Sequence, residues 1–276
     1  MAFETIRYDV DGHTATITLD RPDVANAQDT RLIDELDAAF DLADADDEVR
    51  VVILAGSGKH FSSGHDLKAL VGDTEPDAWR LMRETPEGKF HHEKVMYFDR
   101  CLRIRDFRKP TIAAVQGRCI AAGVMLACMC DLIVAADDAS FQNPVLRMTG
   151  AAVEILVEPW EMPARKAKEF LLTAETRTAA EAERLGMVNR VVPAAALMAS
   201  ARELAERIAL VPPTTAQVVK RSINKTLELQ GQKDAWDYHF MAHHWMHNTA
   251  TALEALEARK QKRSMREVFS EHRDPG

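Results

Sequence analysis

The amino-acid sequence predicts an α/β fold with parallel strand pairing, followed by a helical C-terminal part. Short strand-like runs alternate with helical stretches as far as Val192, a pattern typical of a parallel α/β core. From Pro193 onward the pattern is helical, and Pro212-Pro213 marks a boundary within that part. We therefore expect a core formed by residues 1–212 and a C-terminal helical region formed by residues 213–276.

The first predicted element is a β-hairpin. Ile6, Tyr8 and Val10 alternate with polar neighbours, and the alternation resumes from His13 to Leu19 after the turn-forming pair Asp11-Gly12. A helix should follow from Asn26 to Ala45, since apolar residues recur there at helical spacing. These residues are Leu32, Ile33, Leu36, Phe40 and Ala43.

Two glycine-bearing turns come next, each where a strand passes into a helix. The first, His60 to Lys68, follows the apolar strand Val49 to Gly56, and its Asp66 can cap a helix that opens at Leu67. The second follows the strand Thr111 to Val115 and leads into a helix of small residues from Ala121. Each turn could direct a backbone N–H toward one point. Two converging amides would form an oxyanion hole, which stabilises negative charge on a substrate oxygen.

The segment between the two turns is rich in proline, glycine and charge from Gly72 to Gly88, which favours a flap at a substrate entrance. A helix is predicted from about Lys89 to Phe107, and Pro110 prevents its continuation. Further strands are expected at Asp131–Ala136 and Ala139–Gln142.

Composition narrows the class of protein. In 276 residues, 46% are hydrophobic, which is enough for a sizeable core. A net charge of −8 argues against a nucleic-acid partner. The uncharged stretch between Arg118 and Asp131 is shorter than the ~20 residues that cross a bilayer. The opening residues alternate like a strand and not like a signal peptide, and the four cysteines fit free thiols, so a cytoplasmic location is expected.

The order and spacing of these blocks resemble the crotonase superfamily, also called the enoyl-CoA hydratase/isomerase family. The likeness runs from Phe3 through VVILAGSGKHFSSGHDL and the segment Lys109–Pro144 to LEARKQKR near the end. It implies a spiral of ββα units and an acyl-CoA thioester as ligand. It also implies that the backbone N–H groups of His65 and Ala122 form the oxyanion hole. Gly64, Asp66 and Gly123 would then border the bound substrate.

The sequence departs from this family where the family carries its two catalytic glutamates. Those positions fall on Met125 and Val145, and neither side chain can transfer a proton. We interpret both as pocket-lining residues. Some relatives, of the dienoyl-CoA isomerase kind, use a further carboxylate at the position of Val153. Because the following segment looks shorter than in typical hydratases, a one-residue shift would place Glu154 there. Its apolar neighbours suggest a raised pKa.

Other side chains could also supply the proton transfer. His65 is one candidate, because histidine as a residue type is the side chain best suited to exchange a proton at neutral pH, and Glu158 and Asp66 are weaker candidates. For Asp66, helix capping is the main expected role. The reaction itself stays open between three interpretations. The first is hydration or isomerisation of an enoyl-CoA. The second is another reaction on a specialised acyl-CoA, such as C–C cleavage or thioester hydrolysis, and the third is acyl-CoA binding without catalysis.

The resemblance also implies where coenzyme A would lie. Lys59 would contact the CoA moiety, and Lys260, in the basic run Arg259–Arg263, would reach the CoA phosphates of a neighbouring subunit. No cofactor is implied, since CoA is part of the substrate. A homotrimer or hexamer is expected, because apolar residues crowd a terminal helical segment. These are Trp236, Phe240, Met241, Trp245 and Met246.

Histidines recur on the same segment. His239, His243 and His247 are four residues apart, with His244 beside them. Two histidines at this spacing can bind zinc, but no acidic partner accompanies them in the sequence. The sequence therefore predicts no metal site, and we interpret the cluster as part of an interface.

Overall fold

A computed structural model of the chain describes residues 3–71, 84–148 and 150–260, without the side chains of residues 70, 71, 259 and 260. Its larger sheet has six strands in the order β1-β2-β3-β4-β6-β9. The β1–β2 pair is antiparallel, and the other neighbours are parallel. The strands are β1 (Ile6–Asp11), β2 (Thr14–Leu19), β3 (Val51–Gly56), β4 (Thr111–Val115), β6 (Leu132–Ala136) and β9 (Arg190–Val192).

A smaller sheet of three strands runs in the order β5-β7-β8, namely Arg118–Ile120, Ser140–Gln142 and Arg177–Thr178. Successive turns of the chain place one strand in each sheet, first β4 and β5, then β6 and β7. Both β4–β6 and β5–β7 pair in parallel. The ββα spiral expected from the family resemblance is confirmed.

Helices surround these sheets. They are α1 (Thr30–Ala45), α2 (Leu67–Val71), α3 (Pro86–Glu93), α4 (Arg100–Asp106), α5 (Ala122–Cys128), α6 (Glu158–Glu161), α7 (Ala164–Thr173), α8 (Ala179–Leu185), α9 (Leu197–Ala209), α10 (Pro213–Leu229), α11 (Gln232–Met246) and α12 (Ala250–Lys260). A π-helical turn, Lys94–Asp99, joins α3 to α4. The described part of the C-terminal region is helical, as predicted.

Strand periodicity divides the core into two layers. On β3, Val51 and Ile53 pack in the layer that contains α9, whereas Val52 and Leu54 pack in the layer that contains α1, α4 and α5. This follows from the alternation of side chains along a strand. The residue of α9 at the sheet surface, Ala201, is fully buried, and its small side chain permits close helix-to-sheet approach.

Two predicted helix boundaries were wrong. The first helix begins at Thr30, and not at Asn26, because the Asp29 carboxylate accepts a hydrogen bond from Leu32 N at 2.9 Å and caps the helix there. The helix predicted from Lys89 begins at Pro86, after the cap Thr85. Most of the predicted flap, residues 72–83, lies outside the described residues.

The C-terminal helices bury part of their apolar surface within the chain. Trp236 is 2% exposed, and its Nε1 donates to the Leu156 carbonyl oxygen at 3.0 Å. Phe240 is equally buried. The expectation that all five large apolar residues of this segment need a partner subunit is therefore wrong for these two. Among the described residues, no helix has both the length and the apolar character that crossing a membrane requires.

Candidate active site

The two glycine-bearing turns lie against each other. Ser62 of the first turn pairs in parallel with Cys119 of β5. Ile120 N donates to Ser62 O at 3.0 Å, and Ser62 N donates to Arg118 O at 3.3 Å. The backbone of one turn is thus fixed directly by the backbone of the other.

Two glycines permit this close approach. A Cβ on Gly64 would lie 2.8 Å from the Ile120 carbonyl oxygen and 3.1 Å from Ala122 N. A Cβ on Gly123 would lie 2.6 Å from the Ser62 carbonyl oxygen. Gly64 also has φ +86°, in the region that favours glycine. These two residues are therefore required by the packing of the turns, and their place beside a substrate stays a prediction.

The second turn contains a strained residue. Ala121 has φ 51° and ψ −113°, and directly precedes α5. A non-glycine residue in this region costs about 1–3 kcal/mol, and such strain recurs at functional sites. Its own N–H donates to the Gln142 carbonyl oxygen at 2.8 Å, so the neighbouring β7 strand helps to hold the conformation. The turn sets the direction of the next N–H, that of Ala122.

Gln28 links the two turns. Its side-chain amide donates to Ser62 Oγ at 3.1 Å and to the Ala122 carbonyl oxygen at 3.2 Å. Its backbone accepts from Asp66 N at 2.9 Å and donates to Gly64 O at 2.8 Å. Sequence reasoning missed Gln28, because a single glutamine ahead of a helix carries no signal that separates it from a surface residue.

This arrangement leaves the N–H groups of His65 and Ala122 without a hydrogen-bond acceptor among the described residues. Gly64 and Asp66 bond to Gln28, so the N–H of the intervening His65 faces the opposite side of the strand. Ala122 is the first residue of α5, where an N–H has no partner within the helix. Among the described residues, neither N–H meets a protein acceptor in hydrogen-bonding geometry, whereas Gly64, Asp66 and Ala121 each do.

The side chains of His65 and Glu154 form a largely buried pair. Glu154 is 3% exposed, and its Oε2 lies 3.0 Å from His65 Nε2. The imidazole also stacks on Tyr97, with ring centroids 4.1 Å apart. The structure thus brings together two predicted site residues from separate segments. Tyr97, in the π-helical turn, was missed because its stacking joins elements distant in sequence.

The pKa of Glu154 is lowered, which corrects the expectation of a raised value. Burial alone would raise it, but the charge and hydrogen bond of His65 outweigh burial. The ionised carboxylate can only accept a hydrogen bond, so His65 Nε2 carries a proton. His65 Nδ1 is buried and, within the described part of the chain, has no hydrogen-bond partner.

A narrow apolar cavity opens beside this pair. His65, Tyr97 and Met125 line it together with side chains of α1 and α4, which include Leu32, Leu36, Phe40, Cys101 and Ile104. Met125 is fully buried and lines this cavity, and its contact with a substrate stays a prediction. Val145 is half-buried in a short 3-10 helix, where its Cγ1 lies 2.5 Å from the place that a Cβ on Gly150 would take.

The remaining candidates occupy different surroundings. Asp66 Oδ1 accepts from Ala69 N at 3.2 Å and caps α2, while Oδ2 pairs with Arg21 at 3.1 Å, so the role of this side chain is structural. Glu158 is buried and accepts from Asn143 Nδ2 at 2.8 Å, and burial raises its pKa. Lys59 is exposed, and Lys260 lies at the end of α12 with its side chain outside the described residues.

The chain matches known proteins over most of its length. A sequence model of the enoyl-CoA hydratase/isomerase family matches residues 10–266. The Mycobacterium tuberculosis protein named "Putative enoyl-CoA hydratase EchA13" is 44% identical over 258 residues, which cover 89% of this chain and 81% of that protein.

Solved structures that resemble this chain are also named as enoyl-CoA hydratases or isomerases. A crystal structure of a probable enoyl-CoA hydratase from Mycobacterium smegmatis superposes with a TM-score of 0.84 at 46% identity, and covers 92% of this chain and 98% of that one. An enoyl-CoA hydratase/isomerase from Xanthobacter autotrophicus Py2 gives 0.85 at 34% identity, with 100% of both chains covered.

Proposed function

Because the chain belongs to the enoyl-CoA hydratase/isomerase family, we propose that it is an enzyme that adds water to, or isomerises, an enoyl-CoA thioester. One observation carries this proposal. The N–H groups of His65 and Ala122 lie on two turns packed against each other, and neither has an acceptor among the described residues. Two such donors suit a thioester carbonyl oxygen.

The two amides would act most strongly when the thioester oxygen becomes negative. Attack at Cβ moves charge from the C=C bond onto that oxygen and forms an enolate. Donors already fixed in place by Gln28, Gly64 and Gly123 need no reorganisation at that moment. Loss of one such donor typically costs about 10²–10³ in rate.

His65 would carry the proton. In the neutral form of the ring, Glu154 accepts a hydrogen bond from Nε2–H, and Nδ1 is then the free acceptor. In hydration, Nδ1 takes a proton from water as the water oxygen bonds to Cβ, and the imidazolium then returns that proton to Cα. Hydroxyl and hydrogen are thereby added across the double bond, and the base is regenerated. The pair replaces the acid/base function that Met125 and Val145 cannot supply.

Substrate placement follows from the same elements. The acyl chain would enter the apolar cavity lined by Met125 and the α1 and α4 side chains. Lys59 would contact the CoA moiety, and Lys260 would approach the CoA of a neighbouring subunit. The proposed chemistry uses backbone amides and a histidine–glutamate pair, so it requires no cofactor. We place the enzyme in the cytoplasm, since its four cysteines are buried free thiols.

Assembly into a trimer or hexamer is part of the proposal. Large apolar side chains remain exposed on α10 and α11: Val218, Val219, Ile223, Tyr238, Met241 and Trp245. Such a surface is unusual for a monomer. Light scattering should give three or six times the 30.8 kDa chain mass. A monomer that binds acyl-CoA tightly would contradict both the assembly and the role of Lys260.

Mass spectrometry of reactions with a panel of acyl-CoAs would test the function. We expect a 2-enoyl-CoA to gain one water, or its double bond to move, in the presence of the parent chain. Release of free CoA would indicate thioester hydrolysis instead. Recovery of every compound unchanged, with acyl-CoA still retained by the protein, would indicate the binding protein and overturn the proposed enzyme.

A further inference from the structure

A second buried polar cluster lies between α3 and α11. Glu93 is the last residue of α3, His243 and His244 lie on α11, and His247 follows that helix directly. Glu93, His243 and His244 are each less than 10% exposed. The sequence pattern lacked an acidic partner for these histidines. The fold supplies one from a helix about 150 residues earlier in the chain, which places a carboxylate and imidazoles together.

The ligand atoms are spaced as they would be around one ion. Glu93 Oε2 lies 3.4 Å from His243 Nε2 and 3.6 Å from His247 Nε2, and the two Nε2 atoms lie 2.9 Å apart. Ligands held at about 2.0–2.1 Å in a tetrahedral site are about 3.3 Å from one another. The two separations from Glu93 lie close to that value, and the separation between the two imidazole nitrogens is about 0.4 Å shorter.

Ion pairs of Glu93 with the three histidines account for part of this convergence. Glu93 Oε2 and His244 Nε2 lie 2.9 Å apart, yet neither atom has a well-aligned hydrogen bond among the described residues, although both are buried. The Nε2 atoms of His243 and His247 face each other and can share only one proton. A cation among these atoms would accept lone pairs from the carboxylate and both imidazoles at once.

We propose that Glu93, His243 and His247 bind a divalent transition-metal ion of the zinc class. Two imidazoles four residues apart and one carboxylate form a ligand set that zinc favours, and a water would complete the tetrahedron. His244, at 2.9 Å from the same carboxylate oxygen, would orient Glu93 from outside the ligand set.

The ion would fasten α11 to the segment that borders the active site. Phe240 of α11 already packs on Phe90 and Phe98, on either side of Glu93. Four residues after Glu93, Tyr97 stacks on His65. The metal would therefore act as a structural cross-link that helps to position Tyr97, and it would take no part in the proposed chemistry.

Titration calorimetry of the full chain, without a histidine tag and stripped by a chelator, would test the site. We expect one Zn²⁺ per chain, and a rise in melting temperature on zinc addition. Glu93→Gln and His247→Gln should each weaken Zn²⁺ binding by well over ~10-fold, and His244→Gln by about 10-fold, as partners outside a ligand set do. His91→Gln, at an exposed histidine of the same helix, is the matched control and should bind as the parent does.

Three results would overturn the site. One is the absence of saturable Zn²⁺ binding to the parent chain, which needs no variant to fold. Another is parent-like Zn²⁺ affinity in both Glu93→Gln and His247→Gln. The third is an equal loss of affinity in His91→Gln, which would place the ion on surface histidines. None of these measurements depends on acyl-CoA, so their outcome tests the metal site and does not test the proposed function.

Discussion

The two halves of the proposed site are built in opposite ways. The oxyanion donors are backbone amides, fixed by neighbouring backbone, by two glycines and by Gln28. The proton carriers are side chains from two distant segments, and His65 and Glu154 meet through one 3.0 Å contact. The first half can keep its geometry through many side-chain changes, whereas the second half depends on two particular side chains.

The largest loss of activity should come from a substitution that moves the two glycine-bearing turns apart. Gly64→Ala places a Cβ 2.8 Å from the Ile120 carbonyl oxygen at φ +86°. We expect kcat/KM to fall by about 10³ in steady-state kinetics, because displacement of the turn affects the donor of His65 and its distance from that of Ala122.

Gly12→Ala is the matched control for that change. Gly12 also has positive φ, +55°, but a Cβ there would meet nothing within 4 Å. Its cost should be confined to backbone strain of about 1–3 kcal/mol in unfolding free energy, with activity kept. Equal losses of activity in the two variants would show that strain alone, and not the contact of the turns, explains the effect.

A smaller loss of activity is expected when a side chain of the His65–Glu154 pair is changed. Glu154→Gln removes the charge that fixes the His65 ring, and the single-turnover rate should fall by about 10² while acyl-CoA affinity changes little. Glu158→Gln, a buried glutamate paired with Asn143, is the control and should react as the parent does. An unchanged rate in Glu154→Gln would remove this residue from the mechanism.

The sequence indicated the backbone half of the site better than the side-chain half. Glycines at strand-to-helix turns follow from local backbone geometry, so Gly64 and Gly123 could be identified from the sequence alone. Glu154 was reached only through the family resemblance, and its lowered pKa depends on His65, far away in sequence. Gln28 and Tyr97 act through contacts between separate elements, which no local pattern encodes.

In the fold too, local patterns were predicted from the sequence, whereas features that depend on capping or on contacts between elements were not. The alternation of strands and helices was confirmed, since hydrophobic periodicity is a local property. The start of α1 was placed too early because the Asp29 cap, and not the apolar spacing, decides where the helix begins. Burial of Trp236 and Phe240 within the chain depends on how α11 docks on the core, which the sequence of α11 alone does not reveal.

A further expected effect concerns how the free energy of unfolding depends on pH. Burial, reinforced by the charge of Glu158, raises the pKa of Glu161 to about 7. A carboxyl group with a raised pKa favours the folded state at low pH, and that stability is lost as pH rises from about 4.5 toward 7. Glu161→Gln should therefore raise the unfolding free energy by about 3 kcal/mol at pH 8, and little at pH 4.

The contribution of Glu154 to the pH dependence of stability should have the opposite sign. Its lowered pKa gives stability that is present above about 4.5 and lost only as pH falls through the lower folded value. Chemical denaturation of the parent and of Glu161→Gln across pH separates the two groups, with Glu203→Gln on the exposed face of α9 as the control. A stabilisation by Glu161→Gln that is the same at pH 4 and pH 8 would contradict the raised pKa.

Infrared difference spectroscopy of a bound 2-enoyl-CoA, labelled with ¹³C at the thioester carbonyl, tests the backbone hole most directly. If the amides of His65 and Ala122 donate to that oxygen, the carbonyl stretch moves to lower frequency on binding. The shift should persist in Glu154→Gln, which keeps the hole, and should largely vanish in Gly64→Ala. A carbonyl stretch in the parent complex that matches free substrate in water, or a full shift in Gly64→Ala, would contradict the account.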